Sequence, residues 1–196
     1  MDFDAFTEGV LPGGLRNRSE IGVLVCYMLD SAGQPIPKDN LIELICENGF
    51  ANYFETANAI SELIRNNNVA YSQQEKSGLV LTKNGRLISS QLNTGLSLSI
   101  RQKAASAVAK LIMKRKTESE NPVAITKDEG GGYQVNMKIK DGMRELMSLT
   151  VFVPDISEAN AVKRSFHRNP ERVYSLMLAA VIGEKDMIKS ALEELR

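Results

Sequence analysis

The spacing of apolar residues changes partway along the chain, and this change most limits the folds that the chain can adopt. Between residues 19 and 116, apolar residues recur at the intervals of amphipathic or buried helices. Between residues 133 and 140, apolar residues alternate with polar ones, as in a strand with one buried face. The alternating apolar positions are Tyr133, Val135, Met137 and Ile139. The first part is therefore predicted to be mainly helical, and the second part to contain an antiparallel sheet.

Three helices and a hairpin are predicted in the first part. The helices are expected in "SEIGVLVCYMLDSAG" (19–33), "QPIPKDNLIELICENG" (34–49) and "ANYFETANAISELIRNNN" (51–68). Asn52 is a suitable N-cap for the third helix, and Glu55 is placed three residues later, as in a capping box. Two short strand-like runs then flank a polar turn at 74–78. This order of elements is typical of a winged helix-turn-helix.

The rest of the chain is predicted to form a connecting helix and a second domain. Residues 98–117 have helical spacing, and "TESEN" (117–121) is expected to be a linker. "PVAITK" (122–127), the alternating run and the apolar run 143–153 are expected to form a three-stranded antiparallel meander, with 143–153 as a central or two-sided strand. Helices from "SEANAVKRSFHR" and "NPERVYSLMLAAVIG" are needed to cover its apolar face.

The predicted class is α+β. The predicted domains are a winged-helix domain at 1–97, a connecting or dimerisation helix with linker at 98–121, and a βββαα domain at 122–196. The final segment 184–196 has helical apolar spacing but is too short to be stable alone, so it is expected either to extend the preceding helix through Gly183 or to pack on a partner chain.

Charge gives only partial support to DNA binding. Residues 1–97 carry seven basic and eleven acidic groups, whereas residues 101–120 carry six basic and two acidic groups. A DNA-binding protein usually concentrates Lys and Arg where it contacts the phosphates. With so few basic groups on one copy, useful affinity is expected to need a homodimer, since two linked heads raise the effective concentration.

The candidate residues follow from these expectations. On a helical wheel centred on Ala57, the third helix is expected to bury Phe54 and Ile60 and to expose Asn52, Glu55, Ala59, Glu62 and Asn66, with Thr56 at the shoulder. The candidate DNA-binding residues are Arg16, Arg18, Asn52, Tyr53, Thr56, Arg65, Lys76, Lys83 and Arg86. The candidate dimer-interface residues are Ile100, Ala104, Val108, Leu111, Ile112, Ile188, Leu192 and Leu195. As an alternative, the exposed side of the third helix is only a solvated face.

Other chemistry has little support in the sequence. The two cysteines, Cys26 and Cys46, are expected to be small core residues, and the single histidine, His167, is expected to be solvated or to cap a helix. "DEGGGY" lacks the Lys and Ser or Thr of a phosphate-binding loop. No catalytic residues, metal site or cofactor are predicted, and the chain is not expected to be an enzyme. No apolar run reaches the roughly 18 to 20 residues that cross a bilayer, so a cytoplasmic location without membrane contact is expected.

Several short segments carry a family resemblance. "GGLR" (13–16), "EIGVLVCYML" (20–29), "NYFE" (52–55), "LTKNG" (81–85) and "YQV" (133–135) resemble an uncharacterised family of bacterial, Firmicutes-type proteins that bears only a domain-of-unknown-function label. The resemblance implies a winged-helix N-terminal half and spans most of the chain. It implies no activity.

Two functional hypotheses remain from different classes. The first is a dimeric transcription regulator that binds double-stranded DNA and uses its second domain for assembly or for sensing an effector or protein partner. The second is a protein-interaction scaffold whose winged helix does not bind DNA.

Overall fold

The protein is a mixed α+β chain with two compact parts. The computed structural model describes residue 15 and residues 17–73, 75–183, 185–186 and 188–189. Contacts within the chain divide it into two units, Met1–Ile112 and Met113–Arg196. The division falls inside the predicted connecting segment, and the predicted domain bounds at 97 and 121 remain predictions.

The first unit contains four complete helices and the start of a fifth. They are α1 (Arg18–Ala32), α2 (Lys38–Glu47), α3 (Tyr53–Arg65), α4 (Lys83–Leu92) and α5 (Leu98–Glu120), with a short 3-10 turn at Asn93–Gly95. Asn17 caps α1 by accepting a hydrogen bond from the Ser19 amide at 2.9 Å. Gly33 ends α1 with a φ of 62°, a conformation that glycine adopts at little cost.

A small antiparallel sheet completes the first unit. Its strands are β1 (Ile36–Pro37), β2 (Val69–Tyr71) and β3 (Gly78–Leu81), and they lie in the order β1-β3-β2. The hairpin predicted around residues 74–78 is thus formed by β2 and β3. The Gly78 amide donates to the Glu75 carbonyl at 2.8 Å within the turn.

The core of the first unit includes one face of α5, which overturns part of the dimer prediction. Ala104, Val108 and Leu111 are all buried, and Ile100 and Ile112 pack against the same core. The apolar stripe predicted as a dimer interface is therefore occupied by the chain's own residues. Helical spacing alone cannot distinguish a stripe that packs inside one chain from a stripe that packs between chains.

The second unit is built on a three-stranded antiparallel sheet. Its strands are β4 (Val123–Lys127), β5 (Tyr133–Asp141) and β6 (Arg144–Val153), in the order β4-β5-β6. The predicted alternation is confirmed in β5, where Val135, Met137 and Ile139 are buried. The tight turn at Asp141–Gly142 is also present, with a φ of 58° at Gly142.

Two expectations about this unit were wrong. The run 143–153 was predicted as a central or two-sided strand, but β6 is an edge strand and only Val153 in it is buried. Residues 117–121 were predicted as a linker, but α5 continues to Glu120. The Lys116 ammonium lies 3.7 Å from the Glu120 carboxylate, an i,i+4 pair that supports this last turn.

Two helices cover the buried face of the second sheet, as expected. They are α6 (Ile156–Arg168) and α7 (Pro170–Ile182), so the described residues form seven α-helices and two three-stranded antiparallel sheets. Asp155 caps α6 by accepting from the Glu158 amide at 2.8 Å, and Ala159 and Phe166 face the sheet. Of the two roles expected for His167, solvated or capping a helix, the solvated one is wrong, because its side chain is 12% exposed. Its Nε2 lies 2.8 Å from the carbonyl oxygen of Asn121, the residue that follows α5.

Candidate nucleic-acid interface

The first turn of α3 is fixed by its cap. The Asn52 side-chain oxygen accepts a hydrogen bond from the Glu55 amide at 2.9 Å. This bond satisfies one of the amides that a helix start leaves without a partner. Asn52 therefore has the predicted capping role, and the same oxygen is used inside the protein rather than being available to a base edge.

The buried face of α3 differs from the predicted one. Thr56, Ala59, Ile60 and Leu63 are buried, whereas Phe54 is 75% exposed. Thr56 is 0% exposed, so the prediction that it contacts bases was wrong. Its hydroxyl donates to the Asn52 carbonyl at 2.7 Å, which lets a polar side chain occupy the core side of the helix.

The reason for the error is a rotation of the helical wheel. The buried face of α3 has the spacing i, i+3, i+4, i+7, at residues 56, 59, 60 and 63. A face centred on Ala57 has the same spacing but begins one residue later. Phe54 was assigned to the buried face because its side chain is apolar. A threonine that bonds to its own helix was not counted as a core residue.

The side of α3 that faces solvent is aromatic and polar. We refer to it as the outer face of α3, and it consists of the exposed residues Tyr53, Phe54, Asn58, Ser61 and Arg65. The Tyr53 and Phe54 rings meet edge to face, with their centroids 5.8 Å apart. The sequence did not predict Asn58 and Ser61 as candidate DNA-binding residues, because their exposure follows only from the observed buried face of α3.

Both carboxylates of α3 are paired with arginines. Arg18 Nε lies 3.2 Å from Glu55 Oε2, and Arg18 Nη1 lies 3.9 Å from Glu62 Oε1. Arg65 Nη2 lies 3.6 Å from the same oxygen of Glu62. The hydrogen bond and the charge of Glu55 raise the pKa of the Arg18 guanidinium. The outer face of α3 therefore presents no carboxylate without a cationic neighbour.

Two further candidate cations lie at the start of α4. Lys83 and Arg86 are exposed and have no ion-pair partner within the described ranges. The residue before Lys83, Thr82, caps α4 and its hydroxyl donates to the Asn67 carbonyl at 2.7 Å. The start of α4 is thus tied to the residues that follow α3. Arg65, Lys83 and Arg86 all belong to this α3–α4 junction.

The remaining candidates are distributed over the chain. Lys76 is exposed in the turn between β2 and β3. Ile188 is half-buried. Arg16, Leu192 and Leu195 lie outside the described residues.

The cysteines and the acidic groups do not form a second site. Cys26 is fully buried, and burial raises the pKa of its thiol to about 12. Cys46 is half-buried and its pKa is also raised, mainly by burial. In the part of the chain that the structure describes, no three His, Cys, Asp or Glu side chains come together as metal ligands would. Every helix in that part is too short or too polar to cross a bilayer.

Comparison with known proteins identifies a family but no relative of established activity. The family model described as "Domain of unknown function (DUF4364)" matches residues 21–181. This match covers most of the chain and extends over the larger part of each compact unit. Searches of curated proteins and of solved structures returned no match. The chain belongs to the DUF4364 family, as the resemblance to an uncharacterised family predicted.

Proposed function

We propose that this member of the DUF4364 family is a DNA-binding transcription regulator of the winged-helix type that works in the cytoplasm. The observation that carries the proposal is the outer face of α3, on which polar and cationic side chains are exposed while both carboxylates are paired. Such a face can approach a phosphate backbone without an uncompensated negative charge.

The order of elements supports the winged-helix assignment. The first unit runs α1, β1, α2, α3, β2, β3, and its sheet has the order β1-β3-β2. In a helix-turn-helix protein the second helix of the motif enters the major groove. In this chain that helix is α3, and the β2–β3 turn that bears Lys76 is the wing.

The proposed contacts differ in kind along α3. Asn58 is exposed at the middle of the helix, and its amide can bond to base edges. The Ser61 hydroxyl is also exposed, but it donates to the Ala57 carbonyl at 2.8 Å, so only its oxygen is left to accept a hydrogen bond. Arg65, Lys83 and Arg86 at the α3–α4 junction supply charge for phosphates. Three or four phosphate contacts correspond to weak non-specific binding, with a Kd of about 10⁻⁴ to 10⁻⁶ M.

Assembly as a homodimer remains part of the proposal because one copy offers so few cations. The apolar face of α5 is not available for it, since that face belongs to the core of the first unit. The second unit would carry both assembly and sensing of an effector. Light scattering at several protein concentrations measures the oligomeric state directly.

The test is the salt dependence of binding to a fluorescently labelled duplex. We expect the anisotropy to report binding at low salt, and log K to fall linearly with log salt. In the double variant Lys83→Ala/Arg86→Ala the slope should decrease by about 0.9 for each phosphate that the protein no longer neutralises. A matched control, Lys127→Ala/Arg144→Ala, removes the same charge from exposed positions on the second sheet.

The results have clear consequences. Equal slopes in the junction variant and the wild type would exclude the α3–α4 junction from the interface. Absence of binding at about 50 mM salt would remove the DNA-binding proposal altogether.

One observation favours a second candidate function, a protein-interaction scaffold. Tyr53 and Phe54 are 59% and 75% exposed and form an edge-to-face pair at the start of α3. Aromatic side chains are enriched in protein interfaces, where they often contribute most of the binding free energy. Phe54→Ala removes this anchor without changing charge. If it leaves DNA binding intact, the aromatic pair is not part of the DNA interface and is available to a protein partner.

A further inference from the structure

Polar and cationic residues form one face of α6. Asn160, Lys163, Arg164, His167 and Arg168 have the spacing i, i+3, i+4, i+7, i+8, which places them on one side of a helix. The opposite side is apolar, with Ala159 and Phe166 buried against the sheet. The cationic stripe therefore points away from the core of the second unit.

The end of α5 forms the other wall of a cleft along this stripe. Lys114, Thr117 and Glu118 line it together with the five residues of α6, and its volume is about 490 Å³. All the lining residues belong to the second unit, and all have polar side chains. We refer to this feature as the α5–α6 cleft. Its volume lies within the range of about 300 to 1,000 Å³ that is usual for small-molecule sites.

His167 holds the two walls together. Its Nε2 lies 2.8 Å from the Asn121 carbonyl oxygen, just beyond the end of α5. Since a carbonyl oxygen only accepts, the histidine Nε2–H must donate. The side chain is 12% exposed, so this bond is largely shielded from water.

The cleft has a large excess of positive charge. It contains Lys114, Lys163, Arg164 and Arg168, and none of them has an ion-pair partner among the residues described. The single carboxylate, Glu118, lies 4.0 Å from His167 Nδ1. By contrast, Lys116 on the same turn of α5 is paired with Glu120.

Such a cluster is unfavourable without a ligand. Arg164 and Arg168 are four residues apart on one helix, a spacing at which like charges repel. An anion in the cleft would reverse this repulsion. Arginine favours phosphate because its planar guanidinium can donate two parallel hydrogen bonds to two phosphate oxygens.

We propose that the α5–α6 cleft binds a small soluble anion with two or more phosphate groups, such as a pyrophosphate or a phosphorylated sugar. One cation, Lys114, lies on the α5 wall, and three lie on the α6 wall, so the two walls can face two phosphate groups. Thr117 and Asn160 add a hydroxyl and an amide for further hydrogen bonds. The lining has no Phe, Tyr, Trp or aliphatic side chain, and its one imidazole, that of His167, is 12% exposed and bonded to the Asn121 carbonyl, so no open aromatic ring face or apolar wall is offered to a nucleobase or an acyl chain. The site does not depend on DNA binding by the first unit.

The test uses the full chain and inorganic pyrophosphate. Calorimetric titration at constant ionic strength should give saturable binding, and pyrophosphate should raise the unfolding temperature, because a ligand that binds only the folded state stabilises it. Lys114→Ala/Arg164→Ala removes one exposed cation from each wall. We expect it to weaken binding by about tenfold or more, since hydrogen bonds between charged partners are the stronger ones.

The control is Lys127→Ala/Arg144→Ala, which removes two exposed cations of the same unit outside the cleft. It should bind pyrophosphate as the wild type does. The proposal is overturned if pyrophosphate gives neither heat nor a shift in unfolding temperature at millimolar concentration, or if the two double variants weaken binding equally. It is also overturned if Lys114→Ala/Arg164→Ala binds pyrophosphate as tightly as the wild type does. Binding of duplex DNA, but not of pyrophosphate, in the α5–α6 cleft would overturn it as well.

Discussion

Arg18 Nε lies 3.2 Å from Glu55 Oε2, although the two residues are 37 positions apart in the sequence. The contact joins the start of α1 to the first turn of α3. Arg18 also reaches Glu62 at 3.9 Å, so one guanidinium lies next to both carboxylates of α3. Residues 1–97 carry more acidic than basic groups, but at α3 this excess is locally balanced.

Replacing Arg18 should therefore weaken DNA binding indirectly. In Arg18→Ala, Glu55 loses its hydrogen-bond partner and Glu62 retains only Arg65, so negative charge is exposed beside the proposed interface. We expect a several-fold loss of affinity in an anisotropy titration at low salt. The double variant Arg18→Ala/Glu62→Gln should recover part of the loss. If Arg18→Ala binds as tightly as the wild type, the balance of charge on α3 does not matter for binding.

Substitutions at Thr56 and Asn58 should affect different properties: the first the stability of the fold, the second the recognition of DNA bases. Thr56→Val keeps the shape of the side chain but removes the hydroxyl that bonds to the Asn52 carbonyl, and it should cost about 0.5 to 1.5 kcal/mol in urea unfolding. The cost should be near the low end because the Thr56 amide also donates to that carbonyl, at 3.0 Å. DNA binding should be unchanged. A specific loss of binding in Thr56→Val would contradict the buried position.

Asn58→Ala should have the opposite effect. The side chain is exposed, so the unfolding free energy should change by less than about 0.5 kcal/mol. If Asn58 contacts bases, the sequences selected from randomised duplexes should change, since Asn pairs with adenine through two hydrogen bonds. Identical selected sequences for the variant and the wild type would exclude Asn58 from base recognition.

The contrast between Thr56 and Phe54 shows where residue patterns fail. The order of helices and strands was predictable because capping residues, turn glycines and the alternation in β5 act locally. The orientation of α3 was not, because the choice between two wheels one position apart depends on tertiary packing. A buried threonine bonded to its own helix and an exposed phenylalanine both oppose the average preference of their residue types.

A similar limit applies to α5 and α6. The apolar stripe with Val108 at its centre could equally pack within one chain or between two chains, and only the folded unit shows which occurs. The cationic stripe of α6 is visible in the sequence once the helix is assigned. Its partners Lys114 and Thr117 are about 50 residues away, so the α5–α6 cleft was not predictable.

Gly85 should be essential for the packing of α4. A Cβ atom at this position would lie 2.0 Å from the Asn68 carbonyl oxygen, which belongs to the backbone and cannot rotate away. Gly85→Ala should destabilise the protein by about 2 kcal/mol or more, the upper range for overpacking. Gly95→Ala is the matched control, because nothing lies within 4 Å of the added atom. Urea unfolding should find Gly95→Ala close to the wild type, and equal stability of the two variants would contradict the close approach.

The two thiols should react at very different rates. Burial raises the pKa of Cys26 to about 12 and also raises that of Cys46, so each folded thiol keeps its proton at higher pH than an ordinary one. At pH 8 an alkylating reagent should modify Cys46 slowly and Cys26 only after unfolding. Mass spectrometry of digested protein measures both.

The raised pKa of Cys26 also has a consequence for stability. The unfolded chain loses this proton near pH 9 and the folded chain near pH 12, so the contribution of the group is complete below about pH 9 and is lost between the two values. Cys26→Ala should therefore show a smaller decrease in stability over this window than the wild type. Modification of Cys26 at the same rate as Cys46 in the folded protein would contradict its burial.

Val108 tests whether α5 packs within one chain. The side chain is 1% exposed, and Val108→Ala removes two methyl groups from the core, which should cost about 1.5 to 3 kcal/mol. Met113→Ala, at a position 71% exposed on the same helix, should cost less than about 0.5 kcal/mol. Because the loss arises inside one chain, the difference between the two variants should be the same at every protein concentration. If residue 108 packed between two chains instead, the destabilisation would depend on concentration by mass action, and thermal unfolding over a wide dilution series distinguishes the two cases.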